Sequence, residues 1–163
     1  MFKRMLTVFA VALFVLSAGV SFADEMAKGE ISVTEDNVAV KGYDVVSYIN
    51  DNQATQGTKA NSADHGGVTY YFVSEANKDA FTKKPEKYLP QYGGWCAYGV
   101  GAANQKFPVD PEVFKVVDGK LFLFFNGEAP DGTHVNALVP WNEDEANLIK
   151  QADANWPTVK TQS

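Results

Sequence analysis

The sequence predicts a small single-domain α+β protein in which β-hairpins pack against short helices and a C-terminal helix. Two pairs of strand-like runs flank the turn sequences Gly66-Gly67 and Asp118-Gly119, which is typical of β-hairpins. Near the C-terminus, apolar residues recur at helical spacing. No internal repeat interrupts this order. Residues 24–163 are long enough to form one domain with one core.

The first residues have the pattern of an export signal. Lys3 and Arg4 precede an apolar run, residues 6–16, and Ser21 and Ala23 form a small-residue cleavage site. We therefore expect residues 1–23 to be a cleaved signal peptide and the protein to be periplasmic or secreted. A retained membrane anchor is the alternative, but the uncharged run is short for a span. We expect no stable membrane insertion after cleavage.

Charge and cysteine count narrow the function classes further. The net charge of -6 makes nucleic acid an unfavourable partner, because affinity for nucleic acid comes from neutralising phosphates. The chain has one cysteine, so no intrachain disulfide can form. Stability must then come from packing or from a bound ligand.

In the first half of the chain, residues 38–40 read as a short strand, and Asp44 is a potential N-cap for a helix that ends near Ile49. Residues 51–60 read as a loop with room for a short strand. The turn at Gly66-Gly67 then leads into a strand over residues 68–72.

The remaining predicted helices, turns and strands lie within residues 74–157. Ser74 should cap a helix by accepting backbone N–H groups, and Pro85 should start a fresh turn. The run over 120–125 is apolar on both faces, which predicts a central strand. Residues 126–140 read as a loop, and residues 142–155 as a helix capped by Asn142.

The stretch over 68–98 resembles the YHS domain. The family signature is a Tyr-x-Phe strand, a Ser that opens a helix, a helical Phe and then Pro-x-x-Tyr, and its places are filled here by Tyr70, Phe72, Ser74, Phe81, Pro85 and Tyr88. The Gly-Tyr-Asp opening at residues 42–44 and the Trp156-Pro157 ending resemble exported members of the family. Residues 24–163 are therefore interpreted as one YHS-type domain.

The resemblance implies metal-ion handling outside the cytoplasm. In metal-associated members a Phe-Cys-Ser-x-x-Cys run supplies thiolates, whereas this chain has Val73 and Asn77 at the two cysteine positions. A non-metal small-ligand or protein-binding role fits the same sequence. We expect a binding or accessory role rather than catalysis.

Cys96 is the main candidate for a reactive or ligand-binding residue, and its sequence surroundings allow two opposite interpretations. A helix beginning near Trp95 would place the thiol beside backbone N–H groups, which lowers a thiol pKa and favours a ligand or nucleophile. Burial among aromatic residues would raise the pKa instead and make Cys96 a packing residue. A thiol-dependent enzyme with a histidine base is thus the rival class.

His65 and His134 are the remaining candidates for a metal site with Cys96. Together they offer one thiolate and two imidazoles, which suit a copper or zinc ion. Both histidines lie in predicted turns or loops and are also readable as ordinary surface residues. No spacing in the sequence shows that the three converge.

A group of aromatic residues around a Gly-Gly turn is the candidate small-ligand site. Rings with polar tips suit either a ligand pocket or the edge of a core, and glycines allow close approach. The candidates are Tyr43, Asp44, Tyr48, Tyr88, Tyr92, Gly93, Gly94, Trp95 and Cys96.

Overall fold

The computed structural model describes residues 29–162. The predicted signal peptide, residues 1–23, lies outside the described residues, and its cleavage therefore stays a prediction. Among the helices within residues 29–162, none combines the length and apolar character that a membrane span requires.

The described residues fold as a small α+β unit, which confirms the predicted fold class. The helices are α1 (Val45–Asp51), α2 (Glu75–Lys83), α3 (Leu138–Glu143) and α4 (Glu145–Val159). The strands are β1 (Thr58–His65), β2 (Val68–Phe72), β3 (Asp110–Val117), β4 (Lys120–Phe124), β5 (Asn126–Glu128) and β6 (His134–Asn136). Each strand pairs antiparallel with its neighbour in sequence, which gives three two-stranded sheets.

Both predicted hairpins are confirmed. Gly66 and Gly67 have φ values of 59° and 74°, and Asp118 and Gly119 have 51° and 73°. Positive φ at both central residues is the geometry of a type I′ turn, whose twist matches that of the flanking strands. Local turn chemistry therefore determines where each hairpin reverses.

The prediction that residues 120–125 form a central strand is wrong. β4 pairs along one edge with β3, and its other edge receives a single bridge between Leu123 and Cys96. Both faces of β4 are nevertheless buried. On one face Phe122 and Phe124 pack against Trp141 with ring centroids 5.5 and 5.2 Å apart, and the two leucines of the other face are buried as well. Helical and loop segments, rather than further strands, cover this apolar hairpin.

Residues 38–40 do not form the predicted strand. Val38 and Ala39 make isolated bridges to Thr69 and Val33, and the chain then turns into a 3₁₀ segment, Val40–Gly42. Val40 has a φ of 49°, which is rare for a β-branched residue and ends any extended run.

The interpretation of residues 126–140 as a loop is also wrong. The segment contains the β5–β6 hairpin and the beginning of α3, where Pro140 is tolerated in the first turn because it needs no N–H partner there. The predicted helix over 142–155 is divided at Asp144, whose φ of -144° is not helical. Asn142 therefore lies inside α3 rather than capping a helix.

The N-caps predicted for α1 and α2 are confirmed. Asp44 accepts hydrogen bonds from the backbone N–H groups of Val46 and Ser47, and Ser74 accepts one from Asn77. The core runs through the whole described unit, from Ala39 to Val159, with the fully buried Trp141 as its largest side chain.

Candidate functional site

The candidate site is an apolar cavity of about 400 Å³ beside Cys96. Its lining combines one thiol, aromatic rings, small residues and a single carboxylate. The lining residues are Cys96, Tyr98, Gly99, Ala103, Phe107, Phe125, Glu128, Ala129, Pro130, Val135 and Ala137. The volume is within the range of small-molecule sites in proteins.

Two segments position the walls of the cavity. Cys96 is held by its bridge to Leu123 and by a backbone hydrogen bond to Phe107 O, and the helical segment over 97–103 follows it. The β5–β6 hairpin forms the other wall through Glu128 and Val135. Cys96 is 1% exposed and Phe107 38% exposed, so the thiol lies at the floor and the phenyl ring at the mouth.

Two opposing effects act on the pKa of the Cys96 thiol, as the sequence suggested, and burial is the larger one. Val100 N donates to Cys96 O, so the helical segment does begin beside the cysteine. Burial raises the pKa of the Cys96 thiol, while hydrogen bonds from the backbone at Gly99, Phe125 and Tyr98 partly oppose the increase. Phe125 N lies 3.3 Å from Sγ. The thiol is thus kept protonated rather than activated.

The structure does not bring Cys96, His65 and His134 together as a metal site. The His65 ring packs edge-on against Phe81 at 5.8 Å, and His134 Nε2 lies 3.0 Å from Asn126 Oδ1. Across residues 29–162, no three His, Cys, Asp or Glu residues are grouped in a way that could hold a metal ion. His65 ends β1 and His134 begins β6, so the two histidines belong to different hairpins.

Asp44 is a fully buried structural carboxylate. In addition to capping α1, its Oδ2 accepts hydrogen bonds from Val73 N at 2.9 Å and from Asn77 Nδ2 at 2.7 Å. A buried carboxylate that accepts this many bonds joins the beginnings of α1 and α2. Asp44 does not line the cavity.

Val73 and Asn77, the two residues that the YHS resemblance aligns with cysteines, both contact Asp44. Val73 N and Asn77 Nδ2 donate hydrogen bonds to its carboxylate. Asn77 Nδ2 also lies 3.4 Å from Ser47 Oγ. The region is therefore a hydrogen-bonded junction between helices.

The predicted aromatic candidates are dispersed rather than gathered in one pocket. The hydroxyl of Tyr48 donates to Pro111 O, that of Tyr43 to Glu112, and that of Tyr92 to Asp153. Burial is the first cause of a raised pKa for all three phenols. Tyr88 is buried beside Lys87, whose Nζ lies 3.3 Å from the phenol oxygen. Tyr43, Tyr48 and Tyr92 therefore donate hydrogen bonds as neutral phenols, whereas the Tyr88 hydroxyl accepts a hydrogen bond from Lys87.

The Gly-Gly turn and Trp95 hold the N-terminal part of the described chain. A Cβ on Gly93 would lie 1.9 Å from Glu30 O, and Gly94 has a φ of 80°. Trp95 Nε1 donates to Glu30 O, and Ser32 N donates to Gly93 O. The close approach that the glycines allow is made by the protein's own backbone.

Of the predicted ligand-binding candidates, only Cys96 lines the cavity. The sequence reasoning missed Phe107, Phe125, Glu128 and Val135. One signal is present in the sequence: apolar residues, including Pro130 and Val135, are frequent in residues 126–140, which the sequence pattern predicts to be a loop. Their convergence on Cys96 depends on long-range contacts that no local pattern reports.

Comparison with known families is decisive for one segment. The YHS domain model matches residues 46–92. This segment, which is less than half of the chain, is similar to the YHS domain. The match begins earlier than the predicted signature of 68–98 and ends before Cys96, and all the lining residues of the cavity follow it. No match was found among curated proteins or among solved structures.

Proposed function

We propose that this protein is a non-catalytic binding module that holds a small, mainly apolar ligand in the cavity beside Cys96. The cavity itself carries the proposal: an opening of about 400 Å³ lined by aromatic and aliphatic side chains favours apolar ligands. The cavity lies outside the YHS match, so its ligand need not be the one that the family implies.

The environment of Cys96 favours binding over thiol catalysis. A nucleophilic cysteine needs a lowered pKa or an adjacent base, whereas burial raises the pKa of this thiol. Neither His65 nor His134 lines the cavity. Metal-ion handling, which the YHS resemblance implies, is the second candidate, and elemental analysis of the untagged protein from its native compartment tests it.

We also propose that the protein acts outside the cytoplasm. Its support is the N-terminal pattern, in which Lys3 and Arg4 precede an apolar run and Ala23 ends a small-residue cleavage site. A binding module in the periplasm or the external medium would meet its ligand directly.

Fluorescence titration with N-phenyl-1-naphthylamine tests ligand binding, since this neutral probe brightens in apolar surroundings. We expect saturable binding by the wild-type protein. Val135→Trp should weaken binding at least about tenfold, because the indole would fill part of the cavity. Val135 lies in a strand, and strands tolerate aromatic residues, so the variant should still fold.

Val139→Trp is the matched control. Val139 is 59% exposed on α3 and does not line the cavity, so the added indole should leave probe binding unchanged. Circular dichroism must show that both variants are folded. Absence of saturable binding by the wild type, or equal weakening in both variants, would refute the proposed site.

A further inference from the structure

The cavity contains one charged side chain in an otherwise uncharged lining. Glu128 lies at the end of β5 and is exposed, whereas Cys96 at the floor is buried. We propose that the ligand is an amphipathic organic cation, with an apolar body in the cavity and an ammonium group beside the Glu128 carboxylate. This inference rests on the proposed function and specifies the ligand class of the same site.

No protein cation neutralises Glu128 within residues 29–162. The ion pairs there are Lys115–Glu145 and Lys160–Glu30. The cross-strand neighbour of Glu128 is His134, but His134 Nε2 contacts Asn126 Oδ1. The carboxylate is therefore available to a ligand.

Lys106 precedes the mouth residue Phe107, yet its ammonium group is engaged elsewhere. Its Nζ donates to the carbonyl oxygens of Lys160 and Gln162 and lies 5.7 Å from the centroid of the Trp95 ring. Lys106 does not line the cavity. The mouth thus has negative rather than mixed charge.

Desolvation determines how such a ligand must be oriented. A charged group at the floor, beside the buried Cys96, would lose its hydration without a partner, which is strongly unfavourable. At the exposed Glu128 an ammonium group keeps much of its water and gains a partner. Exposed ion pairs contribute modestly, so we expect a preference of about two- to fivefold for the cation over a neutral analogue.

Three ligands of nearly equal shape test the charge preference: 1-naphthylmethylamine, 1-naphthalenemethanol and 1-naphthoate. Their affinities are measured by displacement of N-phenyl-1-naphthylamine at low ionic strength. We expect the amine to bind most tightly and the carboxylate most weakly. Raising the salt concentration should reduce the difference, because exposed charges are screened.

Glu128→Gln should abolish the preference for the amine, so that the amine and the alcohol bind with equal affinity. Glu35→Gln is the control, since it removes one charge from an exposed turn outside the cavity and should leave the preference intact. Equal binding of amine and alcohol by the wild type, or a preference that survives Glu128→Gln, would overturn the inference while leaving the binding proposal standing. Failure of all three ligands and of the neutral probe would refute the binding proposal itself, and the inference with it.

Discussion

At the scale of single residues, Cys96 shows how two opposing effects are resolved. Its position beside a helical segment supplies backbone N–H groups that favour the thiolate, but the side chain is 1% exposed. Loss of hydration penalises a charged sulfur more than these hydrogen bonds stabilise it. The result is a neutral thiol at the floor of an apolar cavity.

Alkylation with iodoacetamide across a pH series checks this balance. Because burial raises the pKa of Cys96, the folded protein should react more slowly at pH 8 than the same chain unfolded in urea. Cys96 is the only cysteine, so incorporated mass reports on this thiol alone. A Cys96→Ala variant, which has no thiol, is the control for alkylation at other residues.

The sign of the pH dependence follows from the direction of the shift. The folded thiol keeps its proton to higher pH than the unfolded thiol does. Its contribution to stability is therefore present at neutral pH and is lost as the pH rises through the folded value. Rapid alkylation that is already maximal near pH 7 would contradict the buried-thiol assignment and favour the enzyme alternative.

At the scale of elements, the hairpin of β3 and β4 depends on its turn. Gly119 has a φ of 73°, and a Cβ there would meet no atom within 4 Å. A side chain at this position therefore costs stability through backbone strain rather than through a clash. A substitution at Gly119 therefore measures the cost of backbone strain without the cost of a steric clash.

Gly119→Val should lower the free energy of unfolding by about 1 kcal/mol or more, since a β-branched residue strains in the left-handed region. Gly119→Asn should cost less, because asparagine tolerates positive φ and the surrounding space is equally open. Urea unfolding of the three proteins measures both changes. Equal midpoints for the valine variant and the wild type would mean that the turn does not set the hairpin register.

At the scale of the whole molecule, the YHS match covers one part of a continuous core. Tyr92, at the end of the match, packs against Phe122 and Trp156, which lie beyond it. Lys106 connects the C-terminal end to Gly29 through its ammonium group. Residues on both sides of the match therefore contribute to stability.

Export of the protein is predicted from residues 1–23. If Ser21 and Ala23 form the cleavage site, the mature protein begins at Asp24, because signal peptidase requires small residues at those two places. Intact mass of the protein recovered from its native compartment measures this directly. A mass that retains residues 1–23 would support the membrane-anchor alternative.

The amino-acid sequence alone predicts the α+β class, the hairpin at Gly66-Gly67, the type I′ turn at Asp118-Gly119 and the caps at Asp44 and Ser74. It also identified the YHS resemblance, which the match over 46–92 confirms. These features depend on a few neighbouring residues: a turn needs positive φ at two positions, and a cap needs one side-chain oxygen within reach of nearby N–H groups. Local sequence contains that information.

The residues of the candidate site are brought together by tertiary packing. Cys96, Phe107 and Glu128 are far apart in sequence, and the fold brings them to the lining of one cavity. Tertiary packing also assigned Asp44 to a junction between two helices, through bonds to residues about 30 positions away. A cavity is the space that packed elements leave open, and its lining depends on contacts that no local pattern specifies.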